Sequence, residues 1–130
     1  GKPSITAEAG HAGTVEAADV AALVDGTLGV MRYLKMLPGA AAPVAKPVWI
    51  DSVASVTSDQ PGIFYPQVRR GDTVAQDAVL GTVTDLFGQT VFEARAPAAG
   101  EILYICSVPT MTKGGTIASI GVVRKEPVAP

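Results

Sequence analysis

The sequence predicts a mainly β domain preceded by a strand–helix segment, and three observations carry that prediction. Six short β-type runs, 48–57, 63–65, 79–85, 90–95, 101–106 and 116–123, are separated by breaks rich in Gly, Pro and Asp; such spacing belongs to an antiparallel sandwich or small barrel. A block within the second half of the chain recurs, which predicts pseudo-two-fold symmetry. Ahead of both, residues 15–37 place apolar side chains at steps of three and four, the period of a helix.

Residues 4–7 (Ser-Ile-Thr-Ala) read as a short strand ending near Glu8, and residues 9–13 as a small-residue loop. In the helix that follows, Val20, Leu23, Val24, Thr27, Leu28, Met31, Leu34 and Leu37 share one face. Glu16 and Asp19 lie in its first turn and Arg32 and Lys35 toward its end, as the helix dipole favours. Gly26 and Gly29 each cost about 1 kcal/mol relative to Ala, which suggests a close neighbour or a weak point, and Pro38-Gly39 stops the helix. Residues 39–47 form a Pro/Ala linker. The domain reading is therefore a strand and helix over 1–38, a linker over 39–47, a β-domain over 48–123 and a fraying tail over 124–130.

The repeat aligns residues 66–75 with residues 109–118. Pro66 and Pro109, Val68 and Met111, Arg70 and Lys113, Gly71 and Gly114, Thr73 and Thr116, Val74 and Ile117, and Ala75 and Ala118 correspond. Each block follows a strand led by glycine, Gly62 or Gly100, and precedes Leu80-Gly81 or Ile120-Gly121. The implied unit is a strand, a turn with a basic residue and glycine at its tip, and a return strand. This pattern resembles the biotinyl/lipoyl-like barrel-sandwich hybrid, in which a hairpin between two halves carries the prosthetic group on a lysine. The hairpin here, residues 84–90, contains no lysine, and none occurs between Lys46 and Lys113. A primary amine is needed for that attachment, so neither biotin nor lipoate is expected.

Composition narrows the function classes. Ten Lys and Arg against twelve Asp and Glu give a formal charge of −2, which excludes a broad electrostatic grip on nucleic acid. One Cys excludes an internal disulfide framework. One His and one Cys leave few soft metal ligands, where a structural zinc site takes four ligands and a catalytic one three. Hydrophobic residues make up 48% and charged residues 17%, a packed composition, yet no apolar run approaches a membrane span and no signal peptide is evident. A cytoplasmic domain with no membrane partner is the expectation.

The order of blocks is similar to the C-terminal part of the succinylglutamate desuccinylase/aspartoacylase family, zinc-dependent amide hydrolases related to the zinc carboxypeptidases. The resembling stretches are 2–10 and 29–39, then 66–72, Leu80-Gly81, 85–88, 96–100 and Ile120-Gly121. On this resemblance the fold is a barrel-sandwich hybrid preceded by the strand–helix remnant of an α/β hydrolase domain. The parent activity is cleavage of the amide bond of an N-acyl amino acid or related small substrate. Glu8, in the family's T-x-E-x-G strand, becomes the acid/base that takes a proton from the metal-bound water and passes it to the leaving amine. The family's zinc ligands, His-x-x-Glu and a later His, precede that strand. His11 is followed by Ala12, Gly13 and Thr14 and does not match. The expectation is a fragment with no metal ligand of its own, inactive alone, that associates with the rest of the catalytic domain or with itself. A free-standing lipoyl-like module for binding or assembly is the alternative.

Other candidates have plain structural readings. His11 reads as an exposed loop residue, with substrate contact as the alternative. Cys106, in an apolar strand, reads as a core residue. Arg69, Arg70 and Lys113 read as solvated hairpin tips, with contact to an anionic substrate or to the hydrolase domain as the alternative. Asp85 and Phe87 mark the central hairpin and read as residues that pack its turn.

Overall fold

The structure is a computed structural model that describes residues 4–10, 13–43 and 46–124. His11, Ala12, the Val44-Ala45 part of the linker and the tail from Lys125 lie outside the described residues, as do Lys2 and Pro3 of the first resembling stretch. The chain divides into two compact units, Gly1–Pro47 and Val48–Pro130.

In the first unit the expected strand is absent. Residues 4–10 are irregular chain without a ladder partner among the described residues, because a strand is stable only against a neighbour that takes up its backbone groups. The helix α1 runs Ala17–Tyr33, shorter than predicted at both ends. Glu16 stays extended (φ −98°, ψ 132°) as the N-cap and makes no side-chain cap. At the other end Lys35 turns left-handed (φ 58°). The Met36 amide then donates to the Met31 carbonyl (2.8 Å) and the Lys35 amide to Arg32 (3.0 Å), which closes a Schellman turn. Leu37 precedes a proline and resists helical backbone, but the stop comes earlier still, at the left-handed Lys35. No residue of α1 is buried. The neighbour suggested by Gly26 and Gly29 is absent among the described residues: nothing lies within 4 Å of a Cβ placed on either.

The second unit holds eight strands: β1 (Ile50–Thr57), β2 (Gly62–Pro66), β3 (Thr73–Val74), β4 (Val79–Thr84), β5 (Thr90–Arg95), β6 (Gly100–Ile105), β7 (Thr110–Met111) and β8 (Thr116–Val123). Six match the predicted runs, and β3 and β7 are two-residue strands too short for any periodicity to mark. They form two four-stranded antiparallel sheets, ordered β1-β8-β6-β3 and β5-β4-β2-β7. Raising each strand number of the first sheet by four, and wrapping past eight, yields the second. The unit is therefore two four-strand halves, β1–β4 and β5–β8, each contributing strands to both sheets.

The symmetry is real, but its register differs from the sequence alignment. Ladder partners equate Thr73-Val74 with Thr110-Met111: Val74 sits opposite Gly100 and Met111 opposite Gly62. The offset is thus 37 residues (74 to 111) and not the 43 of the aligned blocks. The turn that matches Lys113-Gly114 is Gln76-Asp77, with Gly114 at φ 80° and Asp77 at φ 69°. Hydrogen bonds repeat with it. The Asp77 amide donates to Ala96 (2.8 Å) and the Gly114 amide to Ser58 (2.7 Å). The Ala96 amide donates to Ala78 (2.9 Å) and the Ser58 amide to Gly115 (2.9 Å). The basic-glycine turn at Arg70-Gly71 is a different turn that shares a local pattern with Lys113-Gly114.

The core obeys the same operation. Val56 and Ala94, Phe64 and Ile102, Val74 and Met111, Leu80 and Ile117, and Val83 and Ile120 are equivalent pairs of buried side chains. Ser58, the buried polar residue among the described ones, is the mate of Ala96, and its hydroxyl donates to the Gln60 carbonyl (2.6 Å). β4 and β8 bury successive residues in pairs, Leu80-Gly81, Ile117-Ala118 and Ile120-Gly121, and the second of each pair is small. Each fully buried aliphatic side chain contributes about 1.5–3 kcal/mol, so this unit carries its own core.

Candidate functional site

Glu8 lies on the irregular segment 4–10, exposed to solvent. Gly10 (φ 96°) and Gly13 (φ 70°) bend the backbone between it and the helix. A Cβ on Gly10 would lie 3.6 Å from an Asp19 carboxylate oxygen, so the segment passes close to the first turn of α1. The strand expected to aim Glu8 does not form, and its carboxylate stands on a loop next to a helix start. His11 lies outside the described residues.

In the β-unit the predicted positions fall on turns. Arg69, Arg70 and Lys113 are exposed. The Arg69 amide donates to the Asp72 carboxylate (2.7 Å) and the Asp72 amide to the Arg69 carbonyl (3.1 Å), a closed turn that holds the two arginines at its rim. The β4–β5 hairpin is organised by Asp85. Its carboxylate accepts from the Phe87 amide (2.8 Å) and the Gln89 amide (2.9 Å), and Gly88 adopts φ 83°. This Asx turn fixes the backbone while Leu86 and Phe87 stand 85% and 90% exposed. Phe87 therefore does not pack in the turn; Asp85 does the structural work by hydrogen bonds.

Cys106 is half-buried against the core, and its thiol donates to the Val108 carbonyl (3.3 Å). Sequence reasoning did not single out its neighbour Tyr104. Desolvation raises the Tyr104 phenol above its ordinary 10.0, and a hydrogen bond and an electrostatic interaction with the Cys106 side chain add to the effect. The i, i+2 spacing on one strand face was the available signal.

No group of three His, Cys, Asp or Glu side chains among the described residues could hold a metal ion. The chain's described residues do not fit a zinc site. No helix among them is long and apolar enough to cross a membrane.

No family model matches the chain, and no curated protein matches it. Solved structures do. The ectoine utilization protein EutE (DoeB) from Ruegeria pomeroyi, in its apo structure, matches with TM-score 0.76 and 25% identity over 85% of this chain and 36% of that one. A succinylglutamate desuccinylase from Silicibacter sp. TM1040 matches with TM-score 0.75 and 22% identity over 86% of this chain and 35% of that one. A succinylglutamate desuccinylase/aspartoacylase from Rhodobacter sphaeroides matches with TM-score 0.74 and 18% identity over 86% and 38%. The chain spans little more than a third of the length of these proteins, a share consistent with a C-terminal part. Over that stretch the chain has the fold of the succinylglutamate desuccinylase/aspartoacylase family.

Proposed function

We propose that the chain is the C-terminal portion of a zinc-dependent hydrolase that cleaves the amide bond of an N-acyl amino acid or a related small substrate. The observation that carries this reading is the fold match, which takes in 85–86% of this chain and only 35–38% of the desuccinylase-type neighbours. Zinc, on this reading, is held by residues outside this chain, since the described residues offer no ligand set. The rest of the catalytic domain is the partner, the cytoplasm the compartment, and the isolated chain is inactive.

Glu8 is the residue of this chain assigned to the chemistry. An exposed carboxylate on an irregular segment can accept a proton from attacking water and return it to the leaving amine, once neighbouring structure holds it in reach. Arg69, Arg70 and Lys113 keep contact with an anionic substrate or the hydrolase domain as their assigned alternative. The two-sheet unit is read as a barrel-sandwich of the biotinyl/lipoyl type, supported by its repeated strand order; its hairpin lacks the lysine a carrier would need.

The test has two arms. The purified chain should neither retain stoichiometric zinc by elemental analysis nor hydrolyse N-acyl amino acids. Joined to its upstream reading frame, it should do both, and Glu8→Gln should then lower kcat by about 10²–10⁴ with zinc content unchanged. Zinc and activity in the chain alone, or full activity of Glu8→Gln, would overturn the proposal. A second reading, a free-standing β-module for binding or assembly, draws on the self-contained core of Val48–Pro130. An upstream frame without His-x-x-Glu would favour it.

A further inference from the structure

Four of the six ladders in the β-unit join one half to the other. β1 pairs with β8, β2 with β7, β3 with β6 and β4 with β5, while β2–β4 and β6–β8 lie within a half. Neither half completes a sheet alone; what it needs is the other half, whichever copy supplies it. In one chain the halves are joined by residues 85–89. The hydrogen bonds that close this turn all involve Asp85. Its amide donates to the Gln89 carbonyl (2.9 Å), its carbonyl accepts from the Gly88 amide (3.2 Å), and its carboxylate accepts from the Phe87 and Gln89 amides. The Leu86 and Phe87 side chains, 85% and 90% exposed, contribute no packing to the closure. Thr84, Thr90, Val91 and Phe92 on either side are strand formers, and residues 83–92 contain no proline.

The register fixes what an open turn would meet. Thr84 sits opposite Thr90, and the Asp85–Gln89 bond carries that register inward, which leaves Phe87 at the midpoint. With residues 79–95 extended as one strand, β4 of each copy pairs with β5 of the other about a two-fold axis. At the same register Leu86 faces the second copy's Gly88, and Phe87 faces the second copy's Phe87. An aromatic cross-strand pair is favourable, and this one covers the most exposed large apolar side chain among the described residues. We propose that the β-unit exchanges halves between two copies of this chain: the 85–89 turn is a hinge latched by Asp85, and Leu86 and Phe87 are the contact the open hinge makes with its own copy. All four cross-half ladders are kept, so the closed monomer and the exchanged dimer differ in the hinge alone. They interconvert by breaking those ladders, so concentration during folding sets their ratio. This exchange goes beyond the hydrolase reading and stands whether or not that reading holds.

The test uses the full chain with Cys106→Ser, refolded from urea over a range of concentrations and separated by size with light scattering. The dimer share should grow with refolding concentration. Thr82 and Glu93 are directly opposed in the β4–β5 ladder, within disulfide reach. Thr82→Cys with Glu93→Cys, oxidised after separation, should lock each monomer to itself and each dimer into a covalent pair on a non-reducing gel. Asp85→Ala removes two hydrogen bonds at each hinge and should raise the dimer constant about tenfold or more. Phe87→Asp should lower it about tenfold and leave the monomer's urea midpoint unchanged. A monomer at every refolding concentration, a dimer whose two-cysteine variant runs as a monomer on the non-reducing gel, or a dimer indifferent to Phe87→Asp would each overturn the proposal.

Discussion

Gly62 and Gly100 open equivalent strands, β2 and β6, and the structure makes a specific demand on both. A Cβ on Gly100 would run into the Gly121 carbonyl oxygen and lie 2.8 Å from Ile120 Cγ2. A Cβ on Gly62 would run into the Thr84 carbonyl oxygen and lie 2.8 Å from Val83 Cγ1. The obstructing atoms belong to β8 and β4, and a ladder backbone cannot swing aside as a side-chain tip can. Overpacking costs about 1–3 kcal/mol, and rigid neighbours put each Gly→Ala change at the upper end, about 3 kcal/mol. A unit the size of Val48–Pro130 has a total stability of about 4–12 kcal/mol, so either change removes a large share. At a urea slope near 1–1.5 kcal/mol/M the midpoint should fall by roughly 2 M or more. Fluorescence of the single tryptophan, Trp49, whose carbonyl accepts from the Arg124 amide (2.8 Å), reports this unit. Gly88→Ala is the control: its Cβ meets open space, and the cost is the left-handed backbone alone, about 1–2 kcal/mol. Midpoints for Gly62→Ala and Gly100→Ala within about 0.3 M of the parent would refute the close-approach argument. A large loss at one and none at the other would refute the equivalence of the two halves.

Gly114→Asp should cost less than about 1 kcal/mol, because its mate position already holds Asp77 left-handed, while Gly114→Val should cost about 2 kcal/mol or more; urea midpoints separate the two. Lys35→Gly should relieve the left-handed closure of α1 by about 1 kcal/mol and slow hydrogen exchange at the Met36 amide about fivefold. Asp85→Ala should remove two hydrogen bonds from the β4–β5 turn at a cost of about 1–2 kcal/mol, with amide exchange at Phe87 and Gln89 rising first. Difference titration against Tyr104→Phe should place the Tyr104 midpoint above 10.0. The folded state then holds that proton more tightly than the unfolded one, so its contribution to stability is full below pH 10.0 and is lost as pH rises through the folded value. A midpoint at or below 10.0 would contradict the desolvation.

The β-unit was legible in outline because its longer strands alternate or run apolar between turn residues, as at residues 79–85 and 116–123. The repeat was legible as a fact and misleading as an alignment. Two basic-glycine turns look alike in letters, whereas the true mates, Asp77 and Gly114, share only a backbone conformation that Asp can adopt and Gly prefers. Val56 and Ala94 likewise share a site while differing in volume, so the operation that relates them lives in the ladder. In the first unit the helix was readable from its period, but its end was set by Lys35, a residue with no propensity for the task. Residues 4–7 have strand composition and form no strand, because pairing is a property of two segments and composition of one. Glu8 was singled out by likeness alone; exposure, the absence of a metal-ligand cluster among the described residues and its distance in sequence from the turn cations leave its chemistry to neighbours that composition cannot display.

The two ends of the β-unit lie side by side. Ile50 is paired with Val123, the Arg124 amide reaches the Trp49 carbonyl, and the Arg124 guanidinium meets the Asp51 carboxylate (2.6 Å). In the strand-number operation, the gap between β8 and β1 occupies the place that the β4–β5 hairpin fills in the other half. A circularly permuted chain follows directly. Opened between Leu86 and Phe87, and joined from Arg124 to Trp49 by a short Asx-type turn, it would begin with β5 and end with β4 while keeping every ladder. The order in which the halves are translated is then free to change, and the pair of sheets they build is not.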